Sequence, residues 1–119
     1  MKKSDVLRDK SKVFALRIIN LYKYLREQKS EYVLSKQVLR SGTSIGANIS
    51  EGGYAQSKAD FISKLAIALK ETAETEYWLE LLHEADYIDD TSFESISADC
   101  NALLKLLTSS IKTAKKNLK

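Results

Sequence analysis

Proline is absent from these 119 residues, glycine occurs four times, and cysteine, histidine, methionine and tryptophan once each. Each scarcity excludes something. Without proline, and with few other turn signals, a fold of many short strands gives way to one of long helices. The lone Cys100 excludes an internal disulfide framework and a cysteine-rich metal site, and fits a reducing compartment. No stretch approaches the ~20 apolar residues that span a bilayer. Met1-Lys2-Lys3-Ser4-Asp5 is basic, but no uninterrupted apolar run follows it, so it does not read as a signal peptide. The expectation is a cytoplasmic protein with a single domain over residues 1–119, long enough for one core and no second.

What is present is charge, unevenly placed. The net charge of +3 hides a basic first quarter, with nine Lys/Arg against three Asp/Glu in residues 1–29. Residues 60–99 reverse this with two against eleven, and residues 100–119 carry five Lys and no acid.

Apolar periodicity predicts four helices. The first runs from about Asp5 to Gln28, with Leu7, Phe14, Ile18, Leu21 and Leu25 on one stripe and Val13, Ile19 and Tyr22 widening it. A second follows from about Tyr32 to Gly52, where the paired glycines suit a helix end. Ser57-Lys58-Ala59-Asp60 resembles a capping box and opens a third helix reaching about Asp86. The third helix is apolar around much of its first half, which suggests burial against another subunit. The fourth is capped by Asp90 or Thr91, with Phe93, Ile96, Cys100, Leu103, Leu107, Ile111, Ala114 and Leu118 as its seam. Long amphipathic helices with short connections predict an all-α, up-down-up-down antiparallel four-helix bundle. That topology brings Lys2, Lys3, Arg8 and Lys10 to the same pole as Lys112, Lys115, Lys116 and Lys119. The opposite pole collects Glu80, Glu84, Asp86, Asp89 and Asp90, partly offset by Lys23, Arg26 and Lys29.

The second helix is the unusual one. Residues 40–52 carry three glycines and four hydroxyl residues, all mediocre to poor helix formers. Leu34, Val38, Ile45, Ile49 and Gly52 fall in an arc about 60° wide, and Arg40, Ser44, Asn48 and Glu51 in a neighbouring arc of about 80°. Gly42 and Gly46, one turn apart, leave room for another backbone to come close. The polar stripe reads first as register-fixing pairing at a helix or subunit contact. Its other reading is a ligand or nucleic-acid contact.

The residues offer little for catalysis or cofactors. His83 has no histidine or cysteine near it in sequence, so it reads as a packing or surface residue. Cys100 lies in an apolar seam, where a thiol acts as a small hydrophobe. A di-iron bundle needs two Glu-x-x-His spacings, and Glu80–His83 is the only one. No arginine within two turns of His83 supports a helical ribonuclease site. Residues 42–53 lack the Gly-Lys-Ser/Thr ending of a phosphate loop. The expectation is no enzyme, no metal and no cofactor. The basic pole is either solvated lysine or a non-specific phosphate-binding surface, which oligomerisation would multiply into a ring of charge.

The run Leu39-Arg40-Ser41-x-x-Ser44-Ile45-x-x-Asn48-Ile49-x-Glu51-Gly52 is followed by Ser57, Asp60-Phe61, Leu65-x-Ile67-Ala68 and Glu74-x-Glu76-Tyr77-Trp78-Leu79. Together they resemble the four-helix bundle proteins encoded in intervening sequences of bacterial 23S ribosomal RNA genes. Relatives of that family include the accessory variability determinants of diversity-generating retroelements. The resemblance implies a cytoplasmic homopentameric barrel, which in the retroelement relatives binds nucleic acid, RNA or DNA, and a reverse transcriptase. Arg40, Ser41, Ser44, Asn48, Glu51 and Gly52 stand at the signature positions, and the family does not make them catalytic. The acidic third helix departs from the very basic relatives.

Overall fold

The computed structural model describes residues 3–118, with side chains from residue 5 onward. Four helices account for nearly all of it: α1 (Lys3–Lys29), α2 (Leu34–Gly52), α3 (Lys58–Glu84) and α4 (Asp90–Lys116). Each packs on its neighbours in sequence, α1 closes on α4, and the diagonal pairs bring no Cα atoms within 8 Å of each other. This is the antiparallel bundle that the periodicity predicts. It forms a rod of 50 × 22 × 22 Å, its length set by 27-residue helices of about 40 Å.

The core follows the predicted stripes. Leu7, Phe14, Ile18 and Leu25 of α1 meet Val38, Ile45 and Ile49 of α2. Leu65, Ala68, Leu79 and Leu82 of α3 meet Ile96, Cys100, Leu103, Leu107 and Ile111 of α4. Each large apolar side chain removed from water contributes roughly 1.5–3 kcal/mol. Ile19, Tyr22 and Ala114 are only half-buried at its margin, and two expected members are exposed. Val13 is 60% exposed, because it faces out beside α4 rather than inward. Leu118 lies beyond the end of α4 and is 49% exposed.

The α1–α4 seam is the thinnest of the four. Arg17 bridges it, its Nη1 donating to Asp99 Oδ2 at 2.7 Å and its Nη2 to Ser95 Oγ at 3.1 Å.

The connections differ in detail from the predicted caps. Asp89, not Asp90 or Thr91, caps α4, its carboxylate accepting from the Ser92 amide at 2.7 Å. Ser57 caps α3 as expected, accepting from the Asp60 amide at 3.1 Å. The Asp60 carboxylate in turn accepts from the Gln56 amide instead of that of Ser57. Helix α2 begins two residues later than Tyr32, because buried Glu31 holds its start. The Glu31 carboxylate accepts from the amides of Val33, Leu34 and Ser35 at 3.2, 3.0 and 2.7 Å. Burial pushes its pKa up, but these amides outweigh that and hold it below the ordinary range.

The paired glycines are not a left-handed helix end, since Gly53 sits at φ −65°. A Cβ on Gly52 would lie 3.4 Å from the Phe61 ring, so close packing accounts for that residue. The left-handed positions are Ser30 (φ 51°) and Asp86 (φ 65°), each just past a helix.

Candidate functional site

Helix α2 is held between α1 and α3, and its two faces do different work. Toward α1, a Cβ on Gly42 would meet Cγ1 and Cγ2 of Ile18 at 2.8 Å. One on Gly46 would meet Ser11 Oγ at 3.3 Å and the Ser11 backbone at 3.7 Å. The room left by the glycines is therefore filled by α1, through a side chain at Gly42 and near the main chain at Gly46.

Toward α3 lies the polar stripe. Arg40 pairs with Glu71 at 3.2 Å and with Glu74, and Glu51 pairs with Lys64 at 3.0 Å. Ser44 Oγ donates to the Arg40 carbonyl and Asn48 Nδ2 to the Ser44 carbonyl, so both turn back onto their own helix. Ser41 is buried and accepts from Thr75 Oγ1 at 2.8 Å. The stripe is a ladder along the α2–α3 seam with opposite charges at its two ends. The pairing lies at a helix–helix contact, where the first of the two readings put it; half-exposed Arg40 also leaves an edge open to solvent.

His83 and Cys100 are both committed to packing. His83 Nε2 lies 2.7 Å from Asp90 Oδ1, and its ring stacks on Phe93 with centroids 4.2 Å apart. The Cys100 thiol is fully buried and directed at the Thr72 carbonyl, and burial pushes its pKa up to about 12. Glu76, beside it, is half-buried between α3 and α4, where it accepts from Ser97 Oγ. Burial is the main cause raising its pKa; the nearby Glu80 adds to this and the Ser97 bond opposes it. Among the described residues no cluster of three His, Cys, Asp or Glu could hold a metal ion. Nor is any described helix long and apolar enough to cross a membrane.

At the pole where α1 begins and α4 ends, Arg8, Lys10, Lys112, Lys115 and Lys116 are all exposed. Lys2 and Lys119 lie outside the described residues, and of Lys3 only the backbone is described, within α1. The start of α3 adds Lys58, whose Nζ donates to the Asn117 carbonyl at 2.9 Å. The α2–α3 connection adds Tyr54, 90% exposed. Sequence reasoning passed over Tyr54; its one signal is an aromatic residue set among Gly52, Gly53, Ala55 and Gln56. A shallow pocket at this pole is lined by Leu7, Phe61 and Ala114, and also by Ser110, whose buried hydroxyl has no partner among the described residues. The other pole is acidic, with Glu80, Glu84, Asp86, Asp89 and Asp90 exposed.

Apolar side chains also remain outside the core. Helix α3 exposes Ala66, Ile67, Ala73 and Tyr77, and α1 exposes Val13, Leu16 and Tyr24.

Comparison with known proteins agrees with this architecture. The family of 23S rRNA-intervening sequence proteins matches residues 3–109. A crystal structure from Bacteroides thetaiotaomicron, described as a protein of unknown function from the S23 ribosomal protein family, is 59% identical. That match covers 93% of this chain and 99% of the other, with a TM-score of 0.92. No curated protein matches. With nine-tenths of its length matched and every signature residue on or beside the α2 seam, the chain belongs to the 23S rRNA-intervening sequence protein family.

Proposed function

We propose that this chain is a non-enzymatic, homo-oligomeric bundle that binds RNA or DNA non-specifically through its basic pole, as an adaptor for a larger nucleic-acid machine. The observation that carries the reading is the convergence of Arg8, Lys10, Lys58, Lys112, Lys115 and Lys116 with exposed Tyr54 at one end of the rod. Cations there neutralise phosphates, and an exposed aromatic ring stacks on an unpaired base, so single strands are the preferred form. The family resemblance supports a pentamer, in which five such poles form one ring, and a reverse transcriptase as the machine if the chain is of the retroelement branch. The absence of an enzymatic role is supported by the engagement of His83 and Cys100 in packing.

The test is fluorescence anisotropy with a labelled single-stranded RNA, alongside light-scattering mass. Binding through about four phosphates weakens roughly 50-fold between 50 and 200 mM salt. Reversal of Lys112, Lys115 and Lys116 to Glu abolishes it, and Tyr54→Ala weakens single-strand binding more than duplex binding. Binding indifferent to salt and to the reversal rejects the reading. In that case the exposed apolar faces favour a second one, a protein-interaction scaffold with no nucleic-acid role.

A further inference from the structure

The exposed apolar residues of α1 and α3 form two patches on diagonally opposed helices, while Tyr32, Val33, Tyr54 and Leu118 lie apart, in the connections and past the end of α4. On α1, Val13, Leu16 and Tyr24 are 60, 55 and 41% exposed and lie within an arc of about 80°. This patch adjoins the thin α1–α4 seam, where two open hollows flank Arg17. One is lined by Val13, Phe14, Ala102 and Leu103, the other by Leu21, Tyr24, Ile88 and Ile96. On α3, Ala66, Ala73 and Tyr77 lie within an arc of about 40°, with Ile67 beside them. Ile67 and Tyr77 are 41 and 54% exposed. Alanines allow close approach, and the two larger side chains can enter a groove.

From this we infer that α3 of one copy docks into the α1–α4 groove of the next, making a head-to-tail contact between two different surfaces. The inference rests on the homo-oligomer proposed above and names its contact. Three observations select a second copy as the occupant. The first is charge: α1 carries eight Lys/Arg against three Asp/Glu, whereas α3 carries three against six. The second is spacing. Val13 and Tyr24 are eleven residues apart, as are Ala66 and Tyr77. Eleven residues make about three turns, so setting Ala66 against Val13 also sets Tyr77 against Tyr24. The third is direction. Helices α1 and α3 run the same way in the rod. Copies related by rotation about an axis along the rod therefore present them in parallel, with the acidic second half of α3 beside Lys23, Arg26 and Lys29. A two-fold contact would join like patches and like charges instead. Because the patches differ, each copy keeps one of each to offer, and the association continues until a ring closes.

A mixing experiment tests the pairing. One variant carries Val13→Glu and Leu16→Glu, the other Ile67→Glu and Tyr77→Glu; all four positions are at the surface, and circular dichroism checks that both fold. Each alone runs at the single-chain mass of 13.4 kDa, with assembly weakened at least ~100-fold by two desolvated charges. Mixed one to one, they form a two-chain complex and nothing larger, since one intact contact remains. A Val13/Leu16 variant that still assembles like the parent overturns the head-to-tail pairing, and so does a mixture that stays monomeric. A parent protein that is itself monomeric at every concentration overturns the proposed homo-oligomer, a different result read from the parent alone.

Discussion

Glu31 shows how much one side chain settles. Its carboxylate occupies three of the four backbone amides that the start of a helix leaves unpaired. Glu31→Ala is expected to destabilise the bundle by about 1–2 kcal/mol at neutral pH. Its pKa is lowered on folding, so the stability it contributes is complete above the ordinary carboxylate range and is lost as pH falls through the folded value. Urea unfolding at pH 7 and pH 3 should show the gap between parent and variant closing at the lower pH; an equal gap at both rejects the cap as its source. Glu76 has the opposite sign. Its raised pKa means the charged form is disfavoured by folding, so a penalty appears as pH rises from the unfolded toward the folded value. Glu76→Gln should therefore stabilise at pH 7, by under about 1 kcal/mol, and not at pH 3.5. Ser30 and Asp86 hold left-handed backbone without being glycine. Either one changed to Gly should gain about 0.5–1 kcal/mol, read as a higher urea midpoint.

At the scale of the element, α2 trades helix propensity for fit. Gly42→Ala places a methyl against Ile18 and should cost about 1–3 kcal/mol, which offsets or exceeds the roughly 1 kcal/mol that Ala's better propensity returns. The same change at Gly46 meets Ser11 no closer than 3.3 Å, at its hydroxyl, and should cost less. If thermal melts rank the two the other way, the packing account of α2 is wrong. This segment also marks the limit of what the sequence discloses. The arcs of Val38, Ile45 and Ile49 identify the buried face directly, because burial follows a 3.6-residue period. They do not say which neighbour fills the glycine gap, since that depends on how α1 is rotated. Nor is the Arg40 pairing legible: its partners, Glu71 and Glu74, lie 31 and 34 residues away and are fixed only once α2 and α3 dock. Val13 illustrates the same limit. It sits one residue from Phe14 in a plausible widened stripe, and only the position of α4 decides that it faces out. Tyr54 has no period to betray it, because it lies in a turn.

At the scale of the whole molecule, the bundle separates charge by pole and apolar surface by side. The basic end was legible because antiparallel topology alone places the first and last residues together. The two lateral patches were only half legible: the excess apolar surface of α3 is visible in sequence, its counterpart on α1 is not. One more consequence comes from the uneven seams. Three of the four join helices adjacent in the chain, and only the thin α1–α4 seam joins its two ends. Local pairings lose little loop entropy and should form early, leaving the α1–α4 seam to close after the rate-limiting step. Arg17→Ala, which removes the bridge to Asp99 and Ser95, should then speed unfolding while leaving the folding rate nearly unchanged, whereas Thr75→Ala in the α2–α3 seam should slow folding. Stopped-flow measurements on the two variants distinguish them. The same late seam governs how long the folded rod persists, because it is the first to part when the rod opens.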